Sequence, residues 1–166
     1  SPTDQYARQF ATELLDRLQR IPQVEAAALA NAMPLDIHGL PARGFRLEGR
    51  AETTQQQEMA LSNIVSPGYF RTLGIPIVAG DDFAGMTNTA LGPQVIVNEE
   101  FVRRYIAPAD AIGRRLQNGD TTYAIVGVVK NSTYEAFGEP PTPAFFFSWR
   151  DRPRYLGEVH LLARPG

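Results

Sequence analysis

The sequence of 166 residues contains no cysteine. Disulfide bonds, thiolate metal sites and a cysteine nucleophile are therefore excluded. Lysine is nearly absent, since Lys130 is the only lysine among 16 basic residues, and the remaining basic residues are scattered arginines. The two histidines, His38 and His160, are far apart in the sequence. A two-histidine metal site would require the fold to bring them together, and we predict no metal site.

The sequence also lacks a strong net charge and a long apolar run. Its formal net charge is −2 at pH 7, and because it has no basic footprint we expect no nucleic-acid partner. The longest apolar stretches, such as residues 124–129, are much shorter than the ~18 residues of a membrane span. There is no initial methionine and no signal segment, so we expect a soluble fragment of a longer protein.

The apolar pattern predicts three helices in an α+β fold. Residues 3–20 form the clearest helix, capped by Thr3 or Asp4. A short helix is predicted within 66–74, with Ser66 as N-cap, Pro67 at the first helical position and Gly74 as its stop. Asn98 is predicted to cap a helix over 99–106. The first helix has an apolar stripe made of Ala7, Phe10, Ala11, Leu14 and Leu18.

Nine segments are predicted as strands from their apolar or alternating patterns. They are residues 24–30, 44–48, 58–65, 75–79, 95–97, 114–117, 122–130, 144–149 and 155–163. Asn118, Gly119 and Asp120 form a hairpin-turn signal. Residues 124–129 are apolar on both faces, which predicts a central strand. Strands outnumber helices, and mixed sheets are part of the fold class that we expect.

Motifs of enzyme chemistry are absent from the sequence. There is no phosphate-binding loop, no nucleophile elbow and no zinc-protease motif. Asp81 and Asp82 form the most site-like acidic pair, but adjacent side chains on an extended chain point in opposite directions. We therefore predict no catalytic residue and no cofactor. A small α+β hydrolase that uses Asp81, Asp82 or His160 is kept as an alternative.

An aromatic run near the C-terminal end leaves two interpretations open. On a strand, Phe145, Phe147 and Trp149 share one face, and Phe146 lies on the other. The face is either buried in the core or an apolar contact surface for a partner or a lipid. A stand-alone ligand-binding or sensor module is a further alternative, and it requires a preformed apolar pocket lined by these side chains.

Segment 65–76, with the sequence VSPGYFRTLGIP, resembles a signature of the MacB-like periplasmic core domain of FtsX/MacB-type ABC-transporter permeases. The resemblance continues through segments 79–80, 95–101, 112–116 and 123–129, and the nearest subgroup is that of duplicated permeases without a fused ATPase. Asp81 and Asp82 depart from the family, which often has an arginine there. The residues that carry the resemblance, expected to specify the fold, are Ser66, Pro67, Tyr69, Phe70, Leu73, Gly74, Gly80, Asn98, Phe101, Gly113 and Gly127.

The resemblance implies a porter-like α/β lobe with an inserted β-rich lobe and a long N-terminal helix that continues a stalk from the membrane. Residues 1–80 would form the first part of the porter-like lobe, 81–153 the inserted lobe and 154–166 a return strand. The second half of the porter-like lobe is expected outside this sequence.

The resemblance also implies a non-catalytic, periplasmic domain of a cell-membrane permease. Its partners would be the transmembrane helices of the same permease, a cytosolic ATP-binding subunit acting indirectly, and a second permease domain or a periplasmic adaptor. The domain would couple ATP hydrolysis to export or other extracytoplasmic work by conformational transmission.

Overall fold

The computed structural model describes residues 1–32, 39–49, 58–88, 90–132, 138–153 and 157–165. These residues form three helices and nine strands, in agreement with the predicted α+β class. In chain order the elements are α1 (Pro2–Gln19), β1 (Val24–Ala30), β2 (Ala42–Leu47), β3 (Glu58–Val65), α2 (Tyr69–Leu73), β4 (Ile77–Gly80), β5 (Gln94–Asn98), α3 (Glu99–Tyr105), β6 (Arg115–Asn118), β7 (Thr121–Val129), β8 (Ala144–Ser148) and β9 (Glu158–Ala163).

Six of the strands close into a hydrogen-bonded ring in the order β2, β6, β7, β5, β8, β3 and back to β2. The pairs β3–β8 and β5–β7 are parallel and the other four are antiparallel, so the sheet is mixed, as predicted. Outside the ring, β4 pairs with β7, β1 pairs with β3, and β9 pairs with β1. The strand β7 has three neighbours, which confirms the predicted central strand.

Aromatic side chains fill the interior of the ring. Phe45 of β2 contacts Phe145 of β8 with ring centroids 5.5 Å apart, although β2 and β8 are not paired strands. The contact therefore crosses the interior. Phe101 and Tyr105 of α3 contact Phe45 at 4.8 and 5.0 Å, so α3 packs against the same interior.

The interpretation of the aromatic face of β8 as a partner surface is wrong. Phe145, Phe147 and Trp149 are 0%, 0% and 2% exposed, because closure of the ring directs this face of the strand inward. Phe146 lies on the outer face, where Phe70 of α2 packs against it edge to face at 5.0 Å. The core interpretation of the aromatic run is therefore confirmed, and the outer face of β8 is covered as well.

The helix α1 packs on β1 through a face that differs slightly from the predicted stripe. Ala7, Ala11 and Leu15 are buried, whereas Phe10 is 50% exposed and does not belong to the core. The predicted cap is also wrong. Ser1 is the N-cap, and its hydroxyl accepts a hydrogen bond from Asp4 N while the Asp4 carboxylate accepts one from the Ser1 amine.

Two of the three other predicted helix ends are confirmed. Asn98 caps α3 by accepting a hydrogen bond from Phe101 N at 2.9 Å. Gly74 ends α2 in the left-handed conformation, with φ +71°. Ser66 does not cap α2, because Gly68 occupies the N-cap position with φ +84° and the Ser66 hydroxyl instead accepts from Leu29 N at 2.8 Å.

Strands from all three predicted segments share hydrogen bonds. The ring contains β2 and β3 from residues 1–80 together with β5 to β8 from residues 81–153, and β9 pairs with β1. The mapping of the family's two lobes onto this chain stays a prediction. No helix within the described residues is long and apolar enough to cross a membrane.

Two glycines make the close approach of β4 to β7 possible. Gly80 pairs with Gly127, and a Cβ on Gly127 would lie 2.4 Å from the carbonyl oxygen of Asp81. A Cβ on Gly80, which has φ +67°, would lie 2.1 Å from the carbonyl oxygen of Val126. Only glycine fits at these two positions, because any Cβ atom would overlap the facing backbone.

We expect Gly127→Ala to lower the free energy of unfolding by about 2 kcal/mol or more, because the methyl group meets backbone that cannot move aside cheaply. Urea denaturation measures the change. Gly85→Ala is the matched control, since a Cβ there meets nothing within 4 Å, and it should change stability by less than about 0.5 kcal/mol. Equal effects of the two substitutions would contradict the packing argument.

Candidate functional site at the junction of α1 and the ring

A buried arginine follows the end of β8. After Ser148 the chain turns, with Asp151 N and Arg152 N both donating to Ser148 O at 2.9 and 3.1 Å. This turn directs the side chain of Arg150 inward, where it is 2% exposed. A buried guanidinium must be neutralised and hydrogen-bonded to be tolerated.

The guanidinium of Arg150 meets both requirements. Its Nε donates to Asp151 Oδ1 at 2.9 Å, and its Nη1 and Nη2 donate to the carbonyl oxygens of Asn88 and Gly92 at 2.9 and 2.7 Å. The second carboxylate oxygen, Asp151 Oδ2, accepts from Gln94 N at 2.9 Å. The Arg150–Asp151 ion pair thus holds the loop that precedes β5 as well as Gln94, the first residue of β5.

The same turn binds α1. Arg8 Nε donates to the carbonyl oxygen of Arg150 at 2.6 Å. We call the set Arg8, Gln94, Arg150 and Asp151 the Arg150 junction. It joins α1, the end of β8 and the start of β5 through polar contacts, in addition to the apolar packing of α1 on β1.

Arg152 holds the next part of the turn against the ring. Its guanidinium carbon lies 3.7 Å from the centroid of the Phe147 ring, a cation–π contact. Its Nε donates to the Tyr123 hydroxyl at 2.9 Å and its Nη2 donates to Asn118 Oδ1. Asn118 Nδ2 in turn donates to Gly44 O at 2.7 Å, which links β6 to β2 where the ring closes.

The motif between residues 66 and 82 holds α2 on the outer face of the sheet. Ser66 bonds to Leu29 of β1 through both its hydroxyl and its amide. Asp82 Oδ2 accepts from Gly68 N at 2.8 Å, and Asp82 Oδ1 accepts from Phe83 N at 2.7 Å. Asp82 therefore supplies the carboxylate that fixes the start of α2. Tyr69 is buried.

Asn98 does more than cap α3. Besides Phe101 N, its Oδ1 accepts from Ala144 N at 3.0 Å, and its Nδ2 donates to Thr142 O at 2.8 Å. It is fully buried and joins the end of β5 to the start of β8.

Gly113 lies just before β6. It has φ +89°, and its amide donates to Ile125 O at 2.9 Å, which fixes the chain that leads into β6 against β7.

The candidate catalytic residues have structural surroundings. Asp81 is exposed, Asp82 is engaged in the turn before α2, and His160 of β9 packs against the Tyr69 ring at 5.7 Å. Among the described residues, no group of three histidine, aspartate or glutamate side chains is placed to hold a metal ion. His38, the other histidine of the sequence, lies outside the described residues.

The pocket required by the sensor alternative is occupied by aromatic packing. Phe145 and Phe147 are 5.1 Å apart and Tyr123 contacts Phe147 at 4.9 Å. These rings fill the interior that a ligand would need.

The Arg150 junction was not predicted from the sequence. The only signal in the sequence is the charged run Arg150-Asp151-Arg152 directly after an apolar strand. Asn63 was missed as well. It is buried in β3 and exchanges two hydrogen bonds with the backbone of Ala32, at 3.1 and 2.8 Å.

The pKa values of Glu100 and His160 are displaced from their usual ranges. The Arg103 guanidinium beside Glu100 holds the pKa of that carboxyl below its usual range. Burial lowers the pKa of His160, and the nearby charge of Glu158 opposes this effect. Within the described residues, His160 Nε2 is buried and has no hydrogen-bond partner, which is consistent with a neutral imidazole.

The sequence profile of the MacB-like periplasmic core domain family matches residues 1–166. The fold is similar to that of the periplasmic region of MacB from Actinobacillus actinomycetemcomitans, with 9% identity, a TM-score of 0.64, and coverage of 92% of this chain and 64% of that chain. The extracellular domain of the noncanonic ABC-type transporter YknZ from Gram-positive bacteria gives 10% identity, a TM-score of 0.61 and coverage of 94% and 74%.

A permease-protein domain from Porphyromonas gingivalis gives 16% identity, a TM-score of 0.60 and coverage of 92% of this chain and 68% of that chain. No curated protein matches the sequence significantly. At these identities the solved structures establish a shared fold, and this chain spans less than two thirds of the first of them.

We expect Arg150→Met to lower the free energy of unfolding by about 3–5 kcal/mol, because it leaves the Asp151 carboxylate and two carbonyl groups without their buried partner. Urea denaturation measures the loss. Arg115→Met is the control, since Arg115 forms an exposed ion pair with Glu48 at 2.9 Å and should contribute less than about 1 kcal/mol. A loss at Arg150 as small as that at Arg115 would show that the junction is not stabilising.

Stability should fall when the pH drops below the ordinary histidine value of 6.5, because unfolded His160 binds a proton there while the folded imidazole resists it. The contribution is complete above pH 6.5 and is lost as the pH falls toward the lower folded pKa. Denaturation between pH 7.5 and about 5 measures it. His160→Phe keeps a ring against Tyr69 and should flatten this part of the profile; an unchanged profile would contradict the assignment.

Proposed function

The chain belongs to the MacB-like periplasmic core domain family, and we propose that it transmits movement outside the cytoplasmic membrane as a non-catalytic domain of an ABC-transporter permease. A separate cytosolic ATP-binding subunit would hydrolyse ATP. Movement caused by this hydrolysis would reach the domain through α1, which would continue a stalk from the membrane. The movement of the domain would then drive export or other extracytoplasmic work.

The attachment of α1 is the observation that carries this proposal. A helix transmits movement to a domain only if it cannot slip or hinge on it. Ala7, Ala11 and Leu15 pack α1 on the sheet, and the hydrogen bond from Arg8 to Arg150 O ties it to a turn that is itself fixed by a buried ion pair. These contacts support movement of α1 and the ring as one body.

The motif residues have roles that agree with a mechanical domain. Gly80 and Gly127 permit close strand approach, Asn98 joins β5 to β8, and Ser66 fixes the segment before α2 to β1. Each of these residues satisfies a hydrogen-bonding or packing requirement of the fold. We propose that the family signature specifies a rigid body and does not mark a reaction centre.

The partners follow from the same proposal. Within the permease, the domain would be joined to transmembrane helices, and it would meet a second permease domain or a periplasmic adaptor. Its location would be periplasmic. The family match and the shared fold support these assignments.

Labelling with introduced cysteines tests the proposal, because residues 1–166 contain no cysteine of their own. In the full permease with its ATP-binding subunit, spin labels at Glu13 and Asp120 report the distance between α1 and the hairpin after β6. We expect this distance to be unchanged between the nucleotide-free and ATP-bound states. The distance from Glu13 to a label in the membrane-spanning part should change with nucleotide.

Arg8→Met is the uncoupling variant for this measurement. Removal of the bond to Arg150 O should broaden the Glu13–Asp120 distance distribution, whereas Arg17→Met, at an exposed arginine of the same helix, should leave it unchanged. A nucleotide-dependent change in the Glu13–Asp120 distance in the unmutated domain would contradict rigid transmission. No nucleotide-dependent change at either distance would contradict the coupling itself.

A further inference from the structure

The outer face of the ring is polar where β2, β6 and β7 lie side by side. Phe45 and Leu116 belong to the core, and side chains alternate along a strand, so Arg46 and Gln117 point outward. Arg46 pairs with Gln117, and Gln117 pairs with Thr122. These three outward residues therefore form one row across three strands, and all of them are exposed.

A groove runs along this face. A concavity of about 270 Å³ lies over the row, and a second one of about 350 Å³ continues it past the end of β2, with Glu48 lining both. The strand β6 has a neighbour on each side. A partner in the groove therefore lies on the face of the sheet and does not add a strand to it.

The charges along the groove follow the order positive, neutral, positive. At its centre Arg115 Nε donates to Glu48 Oε2 at 2.9 Å, and this ion pair cancels both charges. On one side, the guanidinium of Arg46 has no ion pair or hydrogen bond within the described residues. On the other side Arg114 Nε donates to Asp110 O at 3.0 Å, and its two terminal nitrogen atoms have no partner in the described part of the chain.

The two unpaired guanidinium groups have a definite spacing. A Cβ on Gly49 would lie 3.9 Å from Arg114 Nη1, so this guanidinium is beside a residue three positions after Arg46. Three residues of extended chain span about 10 Å. In a polyproline II segment, side chains three residues apart lie on the same side, about 9 Å from each other. Carboxylates at that spacing can reach both arginines.

We propose that the groove binds an acidic segment of a partner protein, in which a carboxylate recurs at every third residue and neutral residues lie between. One carboxylate accepts hydrogen bonds from Arg46 and the next accepts them from Arg114. Glu48 faces the neutral residues and disfavours a continuous run of negative charge. The binding goes beyond the proposed function, because it needs neither nucleotide nor the membrane-spanning part of a permease.

Two neutral side chains favour a polypeptide over other anions. The amide of Gln117 and the hydroxyl of Thr122 lie in the same row as Arg46, and each can both donate and accept a hydrogen bond. The backbone of a peptide offers both kinds of partner. A polyphosphate or a phospholipid head group offers phosphate oxygens and no peptide groups.

Nuclear magnetic resonance titration of the chain with a peptide of three Glu-Pro-Pro repeats tests the proposal. We expect saturable shifts of the Gln117 and Thr122 amides. A peptide of Gln-Pro-Pro repeats should cause none. A peptide of the same composition with its glutamates adjacent should bind about threefold more weakly or less, because its charges do not match the spacing. Equal affinity of the two acidic peptides, or shifts confined to other residues, would overturn the proposal.

Arginine and glutamate variants test the charge pattern with effects of opposite sign. Arg46→Gln should weaken binding of the Glu-Pro-Pro peptide about tenfold, because it removes a charge-assisted hydrogen bond. Arg71→Gln, at an exposed arginine of α2, is the control and should change nothing. Glu48→Gln should strengthen binding, since it removes the central negative charge and releases Arg115. Unchanged affinity in Arg46→Gln, or weaker binding in Glu48→Gln, would contradict the assignment.

Vesicles of phosphatidylglycerol and phosphatidylcholine distinguish a protein segment from a membrane as the ligand. We expect the chain to bind the Glu-Pro-Pro peptide and not to sediment with these vesicles. Sedimentation with the vesicles that Arg46→Gln abolishes, without saturable peptide binding, would overturn the proposal. Either result is obtained without nucleotide, so a failure here is distinguishable from a failure of the spin-label distances that test transmission of movement.

Discussion

The burial of one positive charge organises the junction between the helix and the sheet. Arg150 is enclosed at the end of β8, and a guanidinium in that position is tolerated only when its charge and its N–H groups are satisfied. Asp151 supplies the charge and the carbonyl groups of Asn88 and Gly92 supply the remaining acceptors. Satisfying this group therefore fixes the loop before β5, and the Arg150 carbonyl group remains available to bind α1.

Closure of the ring has a comparable consequence for the apolar core. Once β2 pairs with both β3 and β6, one face of every ring strand points inward, and Phe45, Phe145 and Phe147 fill the interior. The outer face then needs its own cover, which α2 provides with Tyr69 and Phe70. The aromatic residues on both faces of β8 are explained by these two layers, and a body packed in this way resists internal deformation.

Local features of the fold were predictable because they depend on neighbouring residues. The Asn98 cap, the Gly74 stop and the hairpin at Gly119 follow from short-range chemistry and were predicted from the sequence. The Arg150 junction was not, since its partners are separated by up to 142 positions along the chain. The role of Ser66 was mistaken for the same reason: its partner Leu29 lies on another strand, and strand periodicity does not reveal which strands pair.

The central claim is that α1 and the ring behave as one body because the Arg150 junction joins them. Native-state hydrogen exchange of the chain tests it most directly. We predict that the amides of Ala11 and Leu15 in α1 open with the same free energy as those of Val95 and Val97 in β5, and that Arg150→Met separates the two groups. Opening of α1 at a lower free energy than β5 in the unmutated chain would contradict the claim.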